Sequence, residues 1–436
     1  MKKTFIPRCF HFLCLPAILF SYLFLSSVLF LSSVLFAEEK VSCDSMHGKV
    51  LCGYQGWFTA KGDGSGADWI HYQNAGKFEP GYAGIEIWPD MSEMEDSEKY
   101  ETPFRFADGS PAYVFSSQNP RTVLRHFEWM RDYGLDGVLL QRFCCSPQNH
   151  AHLARLDAVL KNVRASANAT GRCWALMFDL SGKNDRTIDS EVIADWKRLI
   201  DTLDLGRSPE DPAYLHHGGK PVVAVWGIGF SDGRRYSLEK TLELIRFLKH
   251  DPKYGGFTVM IGVPTYWREL KNDAVSDPLL HNIIREADIV SPWTVGRFGT
   301  PDDVRNFIHR VTVPDMKWCA ENGVEYLPVV FPGFSWQNLQ KGRGQYAPFD
   351  AIPRLGGEFL ETQYREHVNA GASMIYQAMF DELDEATAIF KCTPTPPVGE
   401  SRFLDHDGLP SDHYLKLVGK WTRILRENVS QRSDAK

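Results

Sequence analysis

The sequence predicts an α/β protein, a (β/α)8 TIM barrel with a long first βα loop, and three observations predict it. Eight short apolar runs recur along the chain, each followed by a loop or a helix-like segment. Their interiors are mostly continuous rather than alternating, the pattern of parallel strands covered on both faces. Beyond residue 37 no second compositional regime and no linker appears, so a single barrel accounts for residues 38–430. An open doubly wound sheet is the competing architecture, and eight evenly spaced units favour the closed ring.

Taken in order, residues 1–37 read as a targeting segment. Lys2, Lys3 and Arg8 precede an almost unbroken apolar stretch from Cys9 to Phe36, in which "SSVLFL" is followed at once by "SSVLFA". The stretch exceeds the ~7–15 residues usual for the apolar region of a cleaved signal and reaches the ~20 that span a bilayer. Leu35 also spoils the small-x-small pattern before a cut at Ala37. Export, to a secreted or periplasmic location, is expected. A signal peptide is preferred over an uncleaved N-terminal anchor, and membrane contact is expected only through this segment if it is retained.

The apolar runs are "VLCGYQGWF" (50–58), "GVLLQRF" (137–143), "CWALMFDL" (173–180) and "PVVAVWGI" (221–228), then "FTVMIGVP" (257–264), "DIVSPWTV" (288–295), "YLPVVFPGF" (326–334) and "ASMIYQAMF" (372–380). The connection after the first, residues 59–119, is too long for a plain link and is expected to form a rim or lid. A helix follows, with Asn119 as cap, Pro120 in the first turn and Gly134 as its stop. Val123, Leu124, Phe127 and Met130 share one face. Further helices are read over 189–204, 237–250, 303–322 and 358–370, and a last one opens at Ser411 or Asp412.

The net charge of the chain is -7, and without the three leader cations 45 basic residues face 55 acidic ones, or -10. With no basic stripe, nucleic acid is excluded as a partner. Seven cysteines lie beyond the leader, an odd number whose pairing is not readable from sequence. Their spacings match no zinc site, and no HExxH or comparable set occurs, so no metal and no cofactor are expected. "GDGSGAD" (62–68) lacks the Lys-Ser/Thr of a phosphate loop; a flexible turn is preferred there over calcium binding by Asp63 and Asp68.

The chemistry is expected after the eighth strand. "AMFDELDEATAIF" (378–390) crowds Asp381, Glu382, Asp384 and Glu385 into five positions. A solvated helix start accounts for such acids, since the positive end of the helix dipole favours them. Placement at the carboxyl end of a barrel strand, where barrel enzymes keep their chemistry, favours a catalytic pair instead. If the chain turns helically, Glu382 and Glu385 stand at i and i+3, ~5–6 Å apart at Cβ, which suits the ~5–5.5 Å carboxyl separation of retaining glycosidases. Carboxylates that close do not both ionise freely, and one should hold a proton near neutrality.

Of twelve tryptophans, Trp57, Trp226, Trp267, Trp293 and Trp336 fall at or just past strand ends, and Trp69 and Trp88 lie in the first loop. Sugar rings stack on such platforms. Gln141, Arg142 and Tyr376 are candidate polar groups for the same pocket, and Asp179 is a third acid or a loop cap.

With these features in place, the chain resembles the glycoside hydrolase family 99 and family 71 group, the endo-α-mannosidase-like barrels. "FDELDEATAIF" is similar to that group's F-N-E-W-H-E-G-T-x-I segment, which puts its two catalytic glutamates on Glu382 and Glu385, with Leu383 and Asp384 in place of Trp-His. "DWIHY" (68–72) resembles Y-I-H-W and matches His71. "MFDL" resembles I-E-P-Y, with Asp179 at a sugar-contacting Glu, and "PGF" (332–334) resembles P-G-Y. The resemblance implies a retaining hydrolase of α-linked glycan or polysaccharide. In it the first glutamate takes the 2-hydroxyl proton to form a 1,2-anhydro sugar, and the second protonates the leaving oxygen and then activates water. The alternative from a different class is a non-catalytic carbohydrate-binding barrel, motivated by the altered DELDE core.

Overall fold

The structure, a computed structural model, describes Met1 and residues 40–434. The leader read over residues 1–37 lies, Met1 apart, outside the described residues. The chain divides after Lys40, and every strand and helix of the barrel belongs to the unit that begins at Val41.

Eight parallel strands form the sheet: β1 (Val50–Tyr54), β2 (Gly137–Arg142), β3 (Cys173–Asp179), β4 (Lys220–Trp226), β5 (Thr258–Pro264), β6 (Ile289–Trp293), β7 in two pieces (Glu325–Tyr326 and Val329–Val330) and β8 (Ile375–Gln377). Neighbours in sequence pair through β6, and β8 pairs with β1, setting Val50 opposite Ile375. The first piece of β7 pairs with β6 and the second with β8, which closes the ring. Pro328 explains the split, because it has no N–H for the ladder. Its carbonyl still accepts from Tyr376 N at 2.9 Å, and Leu327 N donates to Val290 O at 2.9 Å, so the seam is hydrogen-bonded throughout. Every residue of β1, β2, β3 and β5 is buried, as continuous apolar runs require of strands covered on both faces.

Around the strands run α1 (Pro120–Tyr133), α2 (His150–Thr170), α3 (Ala194–Leu203, entered through a π-helical turn Ile188–Ile193), α4 (Leu238–His250) and α5 (Leu279–Glu286). α6 (Pro301–Phe307) continues through a π-helical turn, Ile308–Thr312, into Val313–Asn322; α7 (Glu358–Ala370) and α8 (His413–Asp434) complete the layer. Asn119 accepts from Arg121 N at 3.0 Å and Gly134 takes φ 77°, so α1 starts and stops where its sequence signals stand. The sequence signals miss α2 and α5. The buried face of α2 includes Ser166, Ala167 and Thr170, a weak apolar stripe, and α5 is only 8 residues long.

The first loop carries an antiparallel hairpin, Tyr100–Arg105 with Pro111–Val114, around an aromatic cluster of Tyr72, Phe78, Trp88, Phe104 and Phe115. Glu86 N from this loop donates to Leu383 O at 2.9 Å, which makes the segment a fixed rim against the chain beyond β8. "GDGSGAD" is a turn: the Asp63 carboxylate accepts from Ala60 N, Ser65 N and Ser116 Oγ at 2.7–2.9 Å.

Gly53 in β1 shows how tightly β8 is drawn in. A Cβ there would sit 2.2 Å from both Met379 Cε and Tyr376 Oη. Gly53→Ala is expected to lower stability by about 1–3 kcal/mol through overpacking, read as a lower urea midpoint at unchanged slope.

Candidate active site

β8 ends at Gln377, and the chain leaves it through a cis Ala378–Met379 bond. It then folds back on itself. Phe380 N donates to Gly53 O at 2.8 Å, Met379 N to Thr387 O at 3.1 Å, and Ala388 N to Glu382 O at 2.9 Å. Leu383–Ala386 is a turn, so the helical geometry expected from sequence does not form. Its carbonyls are claimed from elsewhere. Leu383 O accepts from Glu86 N, and the Arg354 guanidinium donates to Ala386 O and Ala388 O at 2.8 Å each. Nor is this a solvated helix start: Asp381, Glu382 and Asp384 are 0%, 5% and 3% exposed.

Each acid has a different set of partners. Asp381 accepts from Gln55 N at 2.7 Å and Gly56 N at 2.9 Å, tying the exit of β8 to the exit of β1. Burial pushes its carboxyl up to about 7 against those two donors. Glu382 accepts from Gln55 Nε2 at 3.0 Å and Thr387 Oγ1 at 2.7 Å. Burial, then the charges of Glu385 and Asp384, hold its carboxyl well above the usual range. Asp384 Oδ2 meets His71 Nδ1 at 3.1 Å, while its buried Oδ1 has no partner.

Glu385 is the exception. It is half-buried, and its carboxylate has no hydrogen-bond donor among the described residues. Its carboxyl is pushed up to about 7, chiefly by burial with the charge of Asp384 adding, against Arg343. The turn therefore offers one carboxyl held by donors and one that is open, and each charge raises the cost of ionising its neighbour.

Several residues picked out by sequence gather at the carboxyl ends of the strands. Trp57 stacks on His71 with ring centroids 3.8 Å apart and planes within 5°, and His71 is oriented by Asp384. Tyr376 and Gln141 are buried together beside Glu382, whose charge and the burial of the site keep the Tyr376 hydroxyl protonated well above the usual range. Asp179 ends β3, accepts from Ser181 N at 2.6 Å, and has its carboxyl raised by burial; it is thus also a loop cap. Trp226 and Trp293 are half-exposed and meet edge to face at 5.6 Å at the ends of β4 and β6. Half-buried Trp336 lies beyond β7, tilted against Phe334 at 5.3 Å. The indole N–H groups of Trp57 and Trp226 have no acceptor among the described residues.

Two assignments are corrected. Arg142, next to Gln141, faces the opposite side of β2, because side chains alternate along a strand. Its guanidinium bonds Asp195 of α3 at 2.5 Å and Asp157 of α2 at 2.8 Å, 1% exposed, and it does not line the mouth. Trp267 is fully buried between α5 and α6, edge to face with Trp318 at 4.9 Å and close to His281. Gln55, Thr387, Arg343 and Arg354 were not singled out from sequence. Gln55 lies within the first apolar run and Thr387 within the acid motif, but nothing in their own spacing marks them.

A second titratable cluster lies at the opposite, amino ends of the strands: His47, His217 and Glu325. Its geometry is that of a hydrogen-bonded clamp. His217 Nδ1 accepts from Met46 N at 3.1 Å, which leaves Nε2–H to donate to Glu325 at 2.7 Å, and His47 meets the other oxygen at 2.5 Å. With its proton on Nε2, His217 has no lone pair facing the cluster for a cation.

No family model and no curated protein matches the chain by sequence. Solved structures do match in fold. The structure of the GH99 endo-α-mannosidase from Bacteroides thetaiotaomicron in complex with bis-tris propane is 15% identical, covering 89% of this chain and 100% of that one, with a TM-score of 0.61. A second structure of the GH99 endo-α-mannosidase from that organism gives 16% identity, 88% and 100% coverage and a TM-score of 0.59. At such identity the likeness is one of fold, and it agrees with the closed parallel barrel described above.

The inward turn of Arg142 toward the helices has a measurable consequence. Arg142→Met strands Asp195 in the interior with only Arg198, at 2.7 Å, to offset it. Urea unfolding should show a loss of about 3 kcal/mol.

Proposed function

We propose that the protein is an exported retaining glycoside hydrolase acting on an α-linked glycan or polysaccharide, with Glu382 and Glu385 as its catalytic pair. The observation that carries this reading is the pair itself. Two glutamates on one buried turn at the carboxyl end of a barrel, one fixed by two donors and one open, both have carboxyls raised by burial. The fold shared with the endo-α-mannosidase structures supports the same reading, and the apolar leader supports export.

Glu385 suits the general acid. A carboxyl near 7 keeps its proton at neutral pH yet gives it up readily to a departing glycosidic oxygen, and afterwards the carboxylate takes a proton from the incoming water. Glu382 suits the base. Gln55 and Thr387 hold its orientation, and burial makes its carboxylate a strong proton acceptor once ionised. In the route the resemblance implies, Glu382 removes the sugar's 2-hydroxyl proton and that oxygen closes on the anomeric carbon as the leaving group departs with the proton from Glu385. Water then opens the 1,2-anhydro ring, and both glutamates return to their starting protonation states. Trp57, Trp226, Trp293 and Trp336 supply walls for sugar rings, with Gln141, Tyr376, His71 and Asp179 as polar contacts.

A carbohydrate-binding barrel without catalysis is the second reading. It is favoured by the engagement of both Glu382 oxygens with protein donors. Sugar-dependent thermal stabilisation with no release of reducing ends would support it.

Glu385→Gln and Glu382→Gln should each lower kcat on a responsive substrate by on the order of 10³-fold while the protein remains folded by circular dichroism; an unchanged rate in either variant contradicts the assignment. Stability should report Glu385 as well. Its folded pKa lies above the unfolded value, so its contribution is present at low pH and is lost as pH rises through about 7. The neutral Glu385→Gln variant should therefore melt about 2 °C above wild type at pH 8 and close to it at pH 5, a difference that differential scanning calorimetry resolves.

A further inference from the structure

The segment entering the barrel runs beside the start of β3. Val41 N donates to Gly171 O at 3.0 Å, and His216 N donates to Cys43 O at 2.6 Å, so Cys43 is held between the chain before β3 and the chain before β4. Cys43 and Cys173 each stand two residues beyond the Val41–Gly171 contact, one on either segment. Both thiols turn to the same short stretch: Cys43 Sγ donates to Val41 O and Cys173 Sγ to Ser42 O, the carbonyl joined to Cys43 itself, each at 3.6 Å, so the two thiols are neighbours. Cys43 is half-buried and Cys173 fully buried.

We propose that Cys43 and Cys173 are a modification site, closing to a disulfide that fastens the segment following the leader to the first residue of β3. The surroundings favour the reaction. The neighbouring Cys173 thiol chiefly, with the charges of Lys49 and Arg172 adding, holds the Cys43 thiol below the ordinary value against burial and Asp44, so the more exposed sulfur is also the better thiolate. Cys43 attacks one sulfur of a donor disulfide and displaces one donor thiol. Cys173 then attacks Cys43 Sγ, and its proton leaves with the second donor thiol. The two protein thiols lose two electrons and two protons, and the donor, a small-molecule or protein disulfide of an oxidising compartment, is reduced to two thiols.

The bridge would close a loop that spans β1, the rim, α1, β2 and α2, and long closed loops constrain the unfolded chain most. It lies at the amino ends of the strands, away from the acids of the β8 turn. The proposal needs an oxidising environment, which export would provide, but its test does not depend on localisation or on catalysis.

The full chain, purified reduced, would be incubated with oxidised glutathione, alkylated under denaturing conditions and peptide-mapped without reductant. The expected product is a linked peptide pair containing Cys43 and Cys173, with the other five described cysteines alkylated. Alkylation of Cys43 and Cys173, or their pairing elsewhere, overturns the proposal. A second readout guards against incidental oxidation. Wild type should melt about 5 °C lower in reductant than after oxidation, and Cys43→Ser should show no such difference. The same shift in the variant would assign it to another bond and defeat the inference.

Discussion

The site depends on the Asp381 carboxylate. It is fully buried, and it accepts the backbone N–H groups of Gln55 and Gly56, the first residues beyond β1. That contact clamps the exits of the first and last strands together at the point where the barrel closes. It also fixes the start of the turn from which Glu382, Asp384 and Glu385 project. Burying like charges is costly, and the cost is met unequally: Asp381 has two backbone donors, Glu382 has Gln55 and Thr387, Asp384 has His71, and Glu385 has none among the described residues. An arrangement that satisfies its neighbours and leaves one carboxyl open is what general acid–base chemistry asks for.

The rest of the molecule over-determines this turn. The Arg354 guanidinium, from the chain beyond β7, holds Ala386 O and Ala388 O; the rim supplies Glu86 N to Leu383 O. Glu86 itself is buried and accepts from Ser335 Oγ at 2.7 Å, while Ser335 N donates to Glu385 O at 3.1 Å. The rim, the β7 loop and the β8 turn are thus one hydrogen-bonded unit. Such preorganisation holds the acids in place at the expense of stability, since ionised carboxylates in a dry turn destabilise the fold that contains them.

Much of the scaffold is legible in the sequence because buried parallel strands read as continuous apolar runs, and all eight runs contain a strand. α2 escapes because its inner face is partly Ala, Ser and Thr, and α5 because it is short. The division of β7 follows from Pro328, visible in the sequence but weighable only once its neighbours are known. At the site, position is legible and conformation is not. The acids lie after β8 as expected, yet a helical turn is the natural local reading and distant donors, Arg354 and Glu86, override it. Gln141 and Arg142 adjoin in sequence, but a strand sends adjacent side chains to opposite faces, so only one of them can serve the mouth. Trp267 follows a strand but turns into the helix layer, a choice made by Trp318 and His281 rather than by anything local.

The central claim is that two carboxyls close enough to cooperate sit at one sugar-binding mouth, and stereochemistry reads that spacing most directly. The purified protein would be presented with α-mannan and α-glucan oligosaccharides while proton NMR follows the anomeric signals of newly formed reducing ends. The account predicts that α-configured ends appear first and mutarotate afterwards. Products that appear first as the β anomer, or sugars that raise the melting temperature without any new reducing end, would contradict it.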